Sequence, residues 1–69
     1  MNNWVTKTIG KVDAIRLSPN LIKIQMNTIW VWDSGIHIER AIVELSKECK
    51  INSTIKLIKE KTTYLLFVD

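Results

Sequence analysis

One cysteine, one histidine, one proline and two glycines occur in the 69 residues, and each scarcity closes off a class of protein. A single thiol forms no intrachain disulfide, so no covalent staple is available to the fold. His37 and Cys49 alone are too few to make a structural or catalytic zinc site within one chain. Gly10 and Gly35 each stand alone, which leaves no glycine-rich loop to cradle a phosphate. No uninterrupted apolar run approaches the ~20 residues that a membrane-spanning helix needs. The start, Met1-Asn2-Asn3-Trp4, has neither the basic nor the apolar region of a signal peptide. A cytoplasmic protein with no membrane contact, no metal and no cofactor is therefore expected. In such a reducing compartment Cys49 would pack as a small hydrophobe.

What is abundant is apolar mass. Hydrophobic residues make up 46% of the chain and include eleven isoleucines. Sixty-nine residues form one domain spanning 1–69, without room for a second core. A domain of this size hides only about 60% of the surface its unfolded chain exposes, and its core supplies no more than ~3–5 kcal/mol. A dense core, a partner chain or both must make up the difference, and the composition suits a homodimer and a monomer equally. Ile, Lys and Asn together supply 24 residues against two arginines. These three amino acids have A/T-rich codons, so a low-GC bacterium, its phages or another mobile element is the expected source.

Residues 36–49 carry the most regular pattern. Ile38, Ala41, Ile42, Leu45 and Cys49 recur at the spacing that aligns one stripe of an α-helix. Asp33 and Ser34 precede it as candidate caps, and Arg40 and Glu44 are spaced for an i,i+4 pair. The rest reads as β. Residues 4–9 and 12–17 are rich in strand formers, with Gly10 permitting a turn or bulge between them, so the pattern fits two strands or one bent strand. Ser18-Pro19-Asn20 is the strongest turn signal. Residues 21–32 then alternate, with Ile22, Ile24, Met26, Thr28, Trp30 and Trp32 on one parity. Twelve residues is long for a strand, which favours a bend near Asn27. Residues 54–59 and 63–68 form a closing hairpin around Glu60-Lys61-Thr62. Leu65 and Phe67 make the last strand apolar on both faces, as in a central or covered strand. The expected fold is α+β: a small, mostly antiparallel sheet of four to five strands with one helix on one face, in the order β-β-β-α-β-β.

Residues with chemical potential are sparse. Asp33, Ser34 and His37 have the residue types of a hydrolase triad, but such groups converge from separate elements beside an oxyanion hole. Helix capping is the simpler role, and no enzymatic activity is expected. Gly35-Ile36-His37 followed by Arg40-Ala41 and an amphipathic helix resembles the phosphorylation site of the histidine phosphocarrier family of sugar uptake systems. The segment Ser53-Thr54-Ile55-Lys56-Leu57 falls where that family has a strand. The resemblance implies a phosphoryl group held by His37 against helix amides. In the family the arginine follows the histidine by two residues and a proline comes next. Here Arg40 follows by three and no proline does, so a surface histidine at a helix start is preferred.

Binding remains. The net charge of +3 is distributed as +3 over residues 1–27, −2 over 28–46 and +2 over 47–69, so the helix is the least basic element. Contact with DNA or RNA would fall to strands and turns, with lysines on phosphates and a tryptophan stacked on a base. Lysine outnumbers arginine eight to two, which argues against bidentate base readout. The binding candidates are Trp4, Lys23, Trp32, Lys56, Lys59 and Lys61. At least one of Trp30 and Trp32 is expected under the helix, and Trp4 is the better exposed contact. The leading expectation is a non-enzymatic phage or mobile-element accessory protein that binds a host protein and regulates or inhibits it. It would use an open strand edge or apolar sheet patch. A sheet-based nucleic-acid-binding protein comes second and a phosphocarrier-like protein third.

Overall fold

Two tight turns set the first half of the chain. In the computed structural model, which describes residues 4–28, 33–58 and 62–69 (Ile58 and Thr62 as backbone only), β1 (Thr6–Ile9) and β2 (Val12–Ser18) pair antiparallel with Ile9 opposite Val12. The loop is therefore Gly10-Lys11 alone. Gly10 has φ +60°, the left-handed value that a type II′ hairpin turn requires at its first central position. Asn27 fastens this turn from the neighbouring strand, its backbone N–H donating to Lys11 O at 2.9 Å and its Nδ2 to Asp13 Oδ1 at 3.2 Å. The second turn, Pro19-Asn20, joins β2 to β3 (Leu21–Met26), with Leu17 displaced as a bulge between Arg16 and Ser18. Proline's preset φ suits the first central position of such a turn.

Beyond Met26 the strand stops at a bend on Asn27. The alternation of residues 21–26 thus persists as a strand, while Trp30 and Trp32 lie outside the described residues. Helix α1 (Ser34–Ser46) begins earlier than the apolar stripe suggested and ends before Cys49, which sits in the following turn. Asp33 is the N-cap residue, but through its backbone: its carbonyl accepts from Ile36 N–H and His37 N–H at 3.1 and 3.2 Å, and no side-chain cap bond forms. Glu44 pairs with Lys47 at 3.1 Å, rather than with Arg40.

The chain closes with β4 (Ile51–Ile58) and β5 (Thr62–Val68), an antiparallel hairpin whose connection includes Glu60 and Lys61, outside the described residues. β5 inserts beside β3, giving one five-stranded antiparallel sheet in the order β1-β2-β3-β5-β4. The fold is α+β with the element order β-β-β-α-β-β.

Alternation then decides the core. Val12 and Ala14 from β2, Ile22, Ile24 and Met26 from β3, and Leu66 and Val68 from β5 share one sheet face, and α1 covers it with Ile38, Ala41 and Leu45. Alanines on both layers, Ala14 and Ala41, let the helix lie close to the strands. Ile42 and Cys49 pack half-buried at the rim. The helix rests mainly on β2 and β3 and reaches Leu66 and Val68 of β5, so the exposed stretch 52–56 of β4 extends past it.

Candidate binding surface

Among the described residues, the second face of the sheet has no helix on it. Paired residues in antiparallel strands point to the same side, so the register places Ile15, Lys23, Leu65 and Ile55 in one row across β2, β3, β5 and β4. Beside it run Leu21, Phe67 and Ser53 on one flank. Asp13, Gln25, Thr63 and Leu57 form the other. Ile55 is 46% and Phe67 37% exposed, whereas Leu66, between Leu65 and Phe67 but on the helix face, is fully buried. Both faces of β5 are apolar, as expected from its alternation; one is core and the other is this partly open surface.

The margin at β4 is more open still. Side chains from Asn52 to Lys56 are exposed on both faces, and among the described strands β4 pairs with β5 alone. Two independent causes meet here. The helix lies over β2 and β3, and β4 is last in the strand order, so among the described residues neither a layer nor a neighbour covers it. The opposite margin, β1, is half as long, with four residues against eight.

The binding candidates named from residue type fall in different places. Lys23 is half-buried in the open face, between Ile15 and Leu65. Lys56 is exposed on the helix-side face, opposite Tyr64. The two lysines thus project from opposite sides of the sheet. Trp32, Lys59 and Lys61 lie outside the described residues.

Trp4 is the clearest departure from expectation. It is half-buried against the core, with the Arg16 guanidinium 4.7 Å and the Lys7 ammonium 6.0 Å from its ring centroid. Arg16 also donates to Trp4 O at 3.4 Å and to Pro19 O at 3.1 Å. Lys7 donates in turn to the Glu48 carboxylate just past α1. That hydrogen bond is the main reason the Glu48 carboxyl sits below the usual glutamate range, with the Trp4 indole and Arg16 helping and partial desolvation opposing. The Trp4 Nε1 atom is nevertheless buried outside hydrogen-bonding geometry with any partner. Two of the basic residues that make the N-terminal third positive are therefore engaged in tying strand, indole and helix end together.

A shallow groove of about 650 Å³ lies between the β1–β2 turn and one side of α1. Ile9, Ile36 and Val43 line it, and Lys11 and Arg40 are offset there by Glu39 and Glu44. His37 forms part of its wall, but its own amide is bonded to Asp33 O. The amides of Ile36 and His37 are thus not free to hold a phosphoryl group. Among the described residues no three His, Cys, Asp or Glu side chains stand where they could share a metal ion, and no helix is long and apolar enough to cross a membrane.

Ile15, Leu21, Leu65, Phe67, Ile55 and Leu57 were not candidates on residue type. Their signal was present in the two-sided apolar character of 64–68, but only strand order shows which of these faces the helix leaves uncovered. The class that fold and surface define is a small α+β protein with one covered and one uncovered sheet face. Comparison with known proteins finds no matching family model, no similar curated protein and no similar solved structure.

Proposed function

We propose that this chain is a non-enzymatic accessory protein of a phage or other mobile element that docks on a host protein and regulates or inhibits it. The supporting observation is the sheet face that α1 does not cover, where half-buried Ile15, Leu21 and Leu65 and exposed Phe67 and Ile55 lie side by side as an apolar patch. Patches of this kind on small proteins mark partner surfaces, and aromatic residues such as Phe67 are favoured anchors. Lys23 within the patch supplies a polar point of orientation. The Ile-, Lys- and Asn-rich composition, whose codons are A/T-rich, supports the mobile-element origin.

A nucleic-acid interface has less support. Lys7 and Arg16 are engaged around Trp4, and Lys23 and Lys56 project from opposite faces. Phosphate binding favours cations gathered on one surface.

The test is capture from a low-GC bacterial lysate with tagged protein, comparing wild type with Phe67→Glu. Phe67 is partly exposed, so the substitution leaves the core intact. One host protein retained by wild type, released by Phe67→Glu and indifferent to salt supports docking through this face. Retention unchanged by Phe67→Glu, or binding only to nucleic acid that collapses steeply with salt, overturns it.

A further inference from the structure

We propose that two copies of this chain pair antiparallel along β4, with Ile55 on the two-fold axis, to form one continuous sheet. The inference goes beyond docking to a host protein, because the pairing uses the margin of the sheet and leaves Phe67 open.

A strand at the end of a sheet presents alternate backbone N–H and C=O groups with no ladder partner, a template for another strand. Natural edges are protected by brevity, charge, proline, bulges or a covering element. β1 is protected by brevity, having four residues. β4 is the longest strand, contains no proline and is exposed on both faces from Asn52 to Lys56. Its bulge, between Ile51 and Ser53, is confined to one end and leaves residues 53–57 in regular register with β5. The remaining device is the single charge of Lys56.

That charge and that bulge select the register. A two-fold axis normal to the sheet keeps both open faces on the same side, and the residue on the axis meets its own copy. Centring on Lys56 sets two ammonium groups directly opposite each other, which is destabilising. Centring on Thr54 brings the irregular Asn52 into the ladder, opposite Lys56. Centring on Ile55 uses only the regular stretch. Ile55 then meets Ile55 on the open face, Leu57 meets Ser53 beside it, and each Lys56 meets a Thr54 on the helix face. No like charges oppose one another, and the exposed Ile55 side chain becomes covered. The row from Ile15 through Lys23 and Leu65 to Ile55 continues into its symmetry mate, doubling the width of the face.

The interface is short, so the dimer belongs with the weaker protein contacts. Sedimentation equilibrium and light scattering over a concentration series are expected to show a rise from the 8.0 kDa protomer toward twice that mass. Ile55→Lys places two ammonium groups on the axis and is expected to weaken association at least roughly tenfold, with the circular dichroism of the fold unchanged. Register is read by cysteine cross-linking in a Cys49→Ser background. Ile55→Cys is expected to form disulfide-linked dimers on mild oxidation. Leu57→Cys alone is not, whereas Ser53→Cys combined with Leu57→Cys is. A protomer mass at the highest soluble concentration overturns the proposal, as does an Ile55→Lys protein that associates like wild type. Cross-linking of Leu57→Cys in place of Ile55→Cys refutes the register. Phe67→Glu keeps the dimer mass, so host-protein capture that Phe67→Glu leaves unchanged, with the dimer intact, removes the docking reading alone.

Discussion

Leu45→Ala paired with Val43→Ala tests the placement of α1 most directly. The two residues are two positions apart on one helix, yet Leu45 is fully buried against the sheet and Val43 is 55% exposed. Removing three carbons from Leu45 forfeits roughly 2.4 kcal/mol at ~0.8 kcal/mol per buried CH₂. The cavity left between two layers raises the loss toward ~3–4 kcal/mol, within the range of about 2–5 for such truncations. A domain of this size holds only about 3–5 kcal/mol from its core, so Leu45→Ala is expected to keep at most about 2 kcal/mol. Val43→Ala trades an exposed β-branched residue for the best helix former and is expected to stay within about 0.5 kcal/mol of wild type. Urea titrations followed by far-UV circular dichroism measure both. With a denaturant slope near ~1 kcal/mol/M for a small protein, the midpoint of Leu45→Ala falls by about 3 M and that of Val43→Ala hardly moves. Equal shifts for the two variants, or a loss below about 1 kcal/mol for Leu45→Ala, would refute the packing of this helix face on β2 and β3.

Other perturbations address the turns and the charge cluster. Gly10→Ala is expected to cost about 1 kcal/mol from the left-handed φ alone, since an added Cβ meets no atom within 4 Å. Gly35→Ala, with equal space and an ordinary helical backbone, is expected to raise the melting temperature slightly; both changes in one direction would contradict the turn assignment. Because the folded-state pKa of Glu48 is depressed, its contribution to stability is complete above the ordinary glutamate value of about 4.3 and fades as pH falls through the lower folded value. Glu48→Gln should therefore destabilise modestly at pH 7 and converge with wild type in strong acid. Melting curves that stay parallel from neutral pH to below about pH 3 would sink the Lys7–Glu48 contact.

Much of the architecture is legible from short-range chemistry. The stripe Ile38, Ala41, Leu45 specifies a helix and its buried side because 3.6 residues per turn maps spacing onto a face. Pro19 marks one hairpin turn through its fixed φ, while Gly10 marks a turn or bulge that the pairing of β1 with β2 resolves as the other. Alternation at Ile22, Ile24 and Met26 names the core side of β3. Trp4 shows where such reasoning stops. Its large, partly apolar ring near the start of the chain suggests a free contact, yet Arg16 and Lys7 reach it only because β1 and β2 pair, and Glu48 only because the end of α1 returns to that corner. The cap is a second case: Asp33 has a suitable carboxylate, but its carbonyl holds the first helix amides.

The amino-acid sequence by itself determined the helix and strand character of the segments, the turn at Pro19 and the side of each amphipathic segment that faces inward. These depend on covalent geometry and on neighbours a few positions away. Only the tertiary structure decided that β5 lies between β3 and β4, that the helix stops short of the β4 side, and that Ile55 and Phe67 consequently remain in reach of solvent. Strand order arises from pairings between residues some forty positions apart, such as Ile22 with Leu66. No local pattern encodes which of two apolar strand faces another layer will cover.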